Sequence, residues 1–150
     1  MRVIIQVVAL LCCGLFAGIL FGDRMGASFA RPELSPSSFL QFQQIQHVHF
    51  GRLMPPLMLG ALLGGLAWLV MVRGTRLQFW LLALAVVAMV IGAGLTARIN
   101  IPINNLMMTW SVNSPPASMR EIWARWEKFH TIRTSFWVAA FLLETLAAAI

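Results

Sequence analysis

Charge is scarce in this chain. Only 11% of its 150 residues are charged, against 59% that are hydrophobic. A soluble domain carries about twice that charge, so an ordinary water-soluble domain is excluded. The chain also lacks any basic run interleaved with aromatic residues on a soluble segment. Its net charge of +6 therefore does not point to nucleic acid. The basic residues sit instead at the ends of apolar runs and in loops, as anchoring and orientation in membrane lipid require.

Cysteine is almost absent. Cys12 and Cys13 are adjacent inside one apolar run. Neighbours on a helix point about 100° apart, and there is no second pair with which to exchange. A disulfide-relay enzyme is thereby excluded, and the two thiols read as small apolar fillers. Leu11 precedes Cys12, where a lipoprotein site would place a small residue. Strand-like alternation of polarity is missing too, which removes a membrane β-barrel.

Long apolar runs are abundant. Four of them, Val3–Gly22, Leu53–Val72, Leu77–Ala97 and Phe129–Ile150, reach the ~20 residues that cross a bilayer core as a helix. The fold expected is all-α: a single domain over residues 1–150, an integral membrane four-helix bundle with four transmembrane helices. Arg2 followed by an apolar run, with Ser28-Phe29-Ala30 beyond it, is similar to a signal peptide. The run is too long for that and reads as the first membrane helix. The link Arg73-Gly-Thr-Arg76 and Arg2 favour cytoplasmic termini, in a multi-pass protein of a bacterial inner membrane.

Gly14, Gly18, Gly22 and Gly26 recur every four residues, as do Gly60 and Gly64. Such smooth stripes let helix backbones approach. The first could pack within the chain, in a homo-oligomer or against a partner in a membrane complex. Between the first two runs, Pro32 and Ser35-Pro36-Ser37-Ser38 break the chain, and Ser37 or Ser38 is the expected N-cap. Pro55-Pro56 should kink or restart the helix that follows.

Polar residues at membrane depth are expensive and mark a candidate site. Two runs stand out: Arg98-Ile-Asn100-Ile-Pro102-Ile-Asn104-Asn105 and Trp126-Glu127-Lys128-Phe129-His130-Thr131-Ile132-Arg133. Four-helix topology brings the end of run one, the start of two, the end of three and the start of four to one membrane face. His47, His49, Arg52, Arg98, Asn100, Asn104, His130 and Arg133 should converge there. Trp126, His130, Arg133 and Trp137 share one helix face by their spacing. Imidazole can take a proton near neutral pH. Arginine can steady the resulting anion, and tryptophan can cover a planar apolar ligand. Pro102 should interrupt the third helix. If the segment is extended, Asn100 and Asn104 point to one side and can bond a ligand oxygen.

His47 and His49 lie about 200° apart if their stretch is helical. Gln43, His47, Phe50 and Met54 then form one face, with His49 on the other. If the stretch is extended, His47, His49 and His130 could bind one metal ion, copper or iron, or a haem. Glu144, deep in the fourth run, could pair with Arg73 or Arg76 or serve a proton relay.

At these runs the chain resembles the anthrone oxygenase-like family of small four-helix membrane proteins. The matching residues are Arg98-Ile-Asn100-Ile-Pro102-Ile-Asn104, Trp126-(x3)-His130-(x2)-Arg133 and, more weakly, Gln43–Met58 with Met54-Pro55-Pro56-Leu57. The resemblance implies oxidation, by molecular oxygen, of an apolar phenolic or anthrone-type compound entering from the bilayer, with no cofactor required. His130 or His47 would remove the proton, Arg98 and Arg133 would stabilise the anion, and Asn100 and Asn104 would orient the ring oxygens. Gln43, Trp126 and Trp137 complete the expected ligand contacts. The same residues would suit non-catalytic binding of a quinone or lipid, or an accessory subunit of a membrane complex.

Overall fold

The computed structural model describes residues 2–72 and 75–150. Arg73, part of the expected cytoplasmic link and a suggested partner of Glu144, lies outside the described residues. The described chain is mostly helical, with no strand among those residues and its main irregular stretch at 109–118. Four long helices build the fold: α1 (Arg2–Gly22), α2 (Pro36–Met71), α3 (Arg76–Leu95) and, after the short α4 (Ile101–Met108), α5 (Met119–Ala148). Helix α1 packs chiefly on α2, α3 packs on α5, and contacts between α1 and α5 join the two pairs.

The helices outrun the expected boundaries. From α1 the chain continues through a π-helical turn at Asp23–Ala27, one α-turn and a 3₁₀ turn ending at Glu33. Helix α2 starts at Pro36, well before the apolar run at Leu53. Its N-cap is Ser35, whose Oγ accepts the Ser38 amide at 3.2 Å, rather than Ser37 or Ser38. Pro36 then occupies the first turn, where a missing N–H costs no helix bond. Pro55-Pro56 do not restart this helix, which is continuous through them. Nor does Pro102 break the third run. A π-helical turn at Thr96–Asn100 leads into α4, with Pro102 in its first turn.

Small residues set the close approaches. A Cβ on Gly60 would lie 2.7 Å from Cys12 Sγ, and one on Gly64 would lie 3.0 Å from the Ala9 backbone. These glycines, with the cysteine as filler, are why α1 and α2 lie so near each other. In the first glycine stripe only Gly14 is crowded, by Phe141; Gly18, Gly22 and Gly26 face open space. The core of the bundle is Phe16, Leu20, Met89, Trp137 and several alanines.

The outer surface is apolar: Leu63, Val70, Leu84 and Val87 are all exposed. Three helical stretches, Arg2–Glu33, Pro36–Met71 and Arg76–Met108, are long and apolar enough to cross a membrane, consistent with a membrane protein. The fourth expected span is not among them. Helix α5 is long enough, but it carries the polar residues that face inward: His130, Arg133, Thr134 and Glu144 are all buried.

Each end of the bundle is tied by polar contacts. At one end Arg2 donates to Gln78 Oε1 at 3.3 Å, and Gln78 Nε2 donates to the Ala147 carbonyl at 2.7 Å. The other end holds the site.

Candidate active site

The site lies where each apolar run gives way to polar residues, all at the same level of the bundle. The π-helical turn after α1 carries Asp23, the N-terminal half of α2 carries Gln43, Gln46 and His47, the turn after α3 carries Thr96, and α5 carries Trp126, His130 and Arg133. All of these line one cavity of about 300 Å³. Its remaining wall is largely apolar, with Phe16, Phe50, Met54, Met58 and Met107 among its residues. Thioethers are flexible and polarisable, so such a wall adapts to flat apolar ligands.

His130 is at the centre. Arg133 donates to its Nδ1 from Nε at 3.2 Å and from Nη2 at 3.1 Å, and Arg133 Nη1 donates to Thr96 Oγ1 at 3.2 Å. An arginine can only donate, so Nδ1 carries the lone pair and the proton belongs on Nε2. That nitrogen faces Asp23 Oδ2 at 3.3 Å. One ring face is covered by Trp126, with centroids 4.6 Å apart, and Trp123 stacks beyond it at 4.2 Å. The imidazole is thus bonded at Nδ1, set beside the Asp23 carboxylate at Nε2, and covered on one face.

Asp23 is held just as firmly. Arg31 grips both its carboxylate oxygens, the contact to Oδ2 being 3.0 Å. Gln46 Nε2 donates to Oδ1 at 2.8 Å, and Gln46 Oε1 accepts from Arg31 at 2.8 Å. Glu127 Oε1 is 3.5 Å from Arg31, and Ser28 donates to Glu127 Oε2 at 3.0 Å. This network links the turns after α1 to both α2 and α5. Burying such charges is costly unless each is paired, as here.

His47 differs. It lines the cavity and is half-buried, and none of the bonds that hold the cluster involves it. Its ring nitrogens are available to a ligand. The helical face anticipated for this stretch is observed, since Gln43, His47, Phe50 and Met54 all line the cavity.

Other expected site residues lie elsewhere. Arg98 is exposed and does not reach the cavity, because the π-helical turn aims Thr96 and Asn100 at α5 instead. Asn100 is fully buried, donates to the Trp126 carbonyl at 3.2 Å and does not line the cavity; Asn104, one helical turn on, does. The two amides share a side through helical spacing, not through extended chain. Trp137 is a core residue: it packs on Phe16 with centroids 4.3 Å apart, below the cavity. His49 is exposed on the opposite face of α2, so His47, His49 and His130 do not form one metal site. Among the described residues no group of three or more His, Cys, Asp or Glu side chains is placed to hold an ion.

Asp23, Arg31 and Gln46 were not singled out from sequence. The available signal was one acidic residue directly after a twenty-residue apolar run, with an arginine eight residues later. That spacing places them together only if the chain turns back helically, which it does.

A family model described as anthrone oxygenase matches residues 42–143. No curated protein and no solved structure matches the chain.

Proposed function

The chain belongs to the anthrone oxygenase family, and from that premise we propose an integral membrane protein that oxidises an apolar phenolic or anthrone-type compound with molecular oxygen. In this reading α5 is the fourth span, its polar face turned to the cavity and away from lipid. The supporting observation is the cavity itself: aromatic and thioether walls around a buried cation, Arg133, and an uncommitted imidazole, His47.

The roles follow from what each group is free to do. His130 is unsuited as the base, because Arg133 occupies Nδ1 and the proton sits on Nε2. His47 takes the proton from the activated CH2 of the ligand. The electrons of that C–H bond pass into the ring system as an enolate, beside the Arg133 guanidinium. Placing a fixed cation where charge develops lowers the barrier. The carbanion carbon then bonds to O2, and its protonated peroxide loses water to leave a carbonyl. One oxygen atom stays in the product and the other leaves as water, so CH2 plus O2 gives C=O plus H2O. Asn104 and Gln43 orient ligand oxygens. Trp126, stacked between Trp123 and His130, fixes the imidazole from one side, and the Asp23–His130 pair holds Arg133 in place.

Oxygen uptake by purified protein with an anthrone, above the uncatalysed background, tests this. General-base removal predicts that H47A lowers the enzymatic rate by about 10²–10⁴-fold. Full uptake by H47A would remove His47 as base. An apolar ligand that co-purifies unchanged, with no oxygen consumed, would favour a quinone- or lipid-binding protein instead.

A further inference from the structure

Helix α2 carries two prolines in its interior, Pro55 and Pro56, and runs through both. Proline has no N–H, so each cancels one helix bond and its ring crowds the carbonyl four residues earlier. Pro55 therefore releases the Gly51 carbonyl, and Pro56 releases that of Arg52. The two consequences differ. Gly51 and Pro55 both line the cavity, whereas Arg52 and Pro56 do not. Gly51 is also exposed, which places it at the cavity rim. Having no side chain, it can present only backbone to the cavity. A Cβ at this position would meet open space, so no other helix packs against its outer face.

Gly51 lies one turn beyond His47 and one turn before Pro55, and Met54 and Met58 continue the same wall. A carbonyl without its helix partner is an acceptor left to the cavity. The cavity's nearby cation, Arg133, cannot fill it without leaving His130 and Thr96. We propose that the Gly51 carbonyl, freed by Pro55, is a specificity-determining acceptor that selects aromatic ligands bearing a free O–H directed at the α2 wall. This rests on the reading of the cavity as the ligand site. It adds that the wall distinguishes a hydroxylated ring from the same ring with its hydroxyl capped or oxidised to a carbonyl, since two acceptors facing each other repel.

The prolines supply their own control. P55A restores an N–H that closes onto Gly51; P56A makes the same chemical change one residue along, onto a carbonyl outside the cavity. Equilibrium dialysis of detergent-solubilised protein with 2-naphthol and with its methyl ether measures binding without turnover. The unmodified protein is expected to prefer the naphthol about five- to tenfold, as one hydrogen bond supplies. P56A should keep that preference. P55A should reduce it to about twofold, because the carbonyl retains one lone pair. An unchanged preference in P55A, or an equal loss in P56A, overturns the role of Gly51 while leaving the ligand site intact. Failure of both compounds to bind the unmodified protein overturns the site reading and this inference with it.

Discussion

Replacing Asp23 by asparagine removes one negative charge and almost no volume. Four donor groups converge on that carboxylate: two from Arg31, one from Gln46 and the His130 Nε2. An amide has one acceptor oxygen and one NH2, so at least one donor must face another donor. Arg31 is 1% exposed and Asp23 7%, so neither charge is screened as a surface pair would be. Removing one partner of a buried pair costs about 3–5 kcal/mol. Arg31 keeps Gln46 and Glu127, the latter at 3.5 Å and partly exposed, which places the loss near 3 kcal/mol. That is more than a hundredfold in the folded-to-unfolded ratio. Unfolding in mixed micelles at fixed detergent composition measures it. The double variant D23N/R31M should lose clearly less than the sum of the single losses, because the stranded cation is gone. A loss under 1 kcal/mol for D23N, or simple additivity, would refute the buried network.

The same packing sets three further outcomes. H49A and R98Q should leave oxygen uptake within about twofold of the unmodified protein, because both side chains lie outside the cavity; a large loss in either would restore it to the site. G92A places a methyl 2.6 Å from Trp137 Nε1 and should lower stability by about 1–3 kcal/mol through overpacking. G18A meets open space and should fall within about 0.5 kcal/mol of the unmodified protein in the same unfolding assay.

Residue spacing made part of the site legible in advance. Trp126, His130 and Arg133 share a face because a helix repeats every 3.6 residues, and His47 and His49 part for the same reason. The amide pair was legible only in part. Both extended chain and helix put Asn100 and Asn104 on one side, and only the fold shows that a π-helical turn draws Asn100 into the Trp126 carbonyl. Arg98 and Trp137 illustrate the limit. Each stands at the right level and in the right pattern, but a quarter-turn or one helical turn moves a side chain out of a cavity this small. The Asp23–Arg31 pair is not legible in the sequence because it depends on the backbone geometry between the two residues.

Amphipathic spacing, apolar run length and topology by themselves determined an all-α bundle with its histidines gathered at one end. These are one-dimensional properties: they depend on period and order, not on how helices rotate. Helix rotation and local winding belong to tertiary packing. Only there was it decided that Arg133 closes His130 Nδ1, that Asp23 faces Nε2, and that His47 remains open to a ligand. Hydrogen-bond chemistry changes over a few tenths of an ångström, and no pattern of residues along a chain specifies positions that finely.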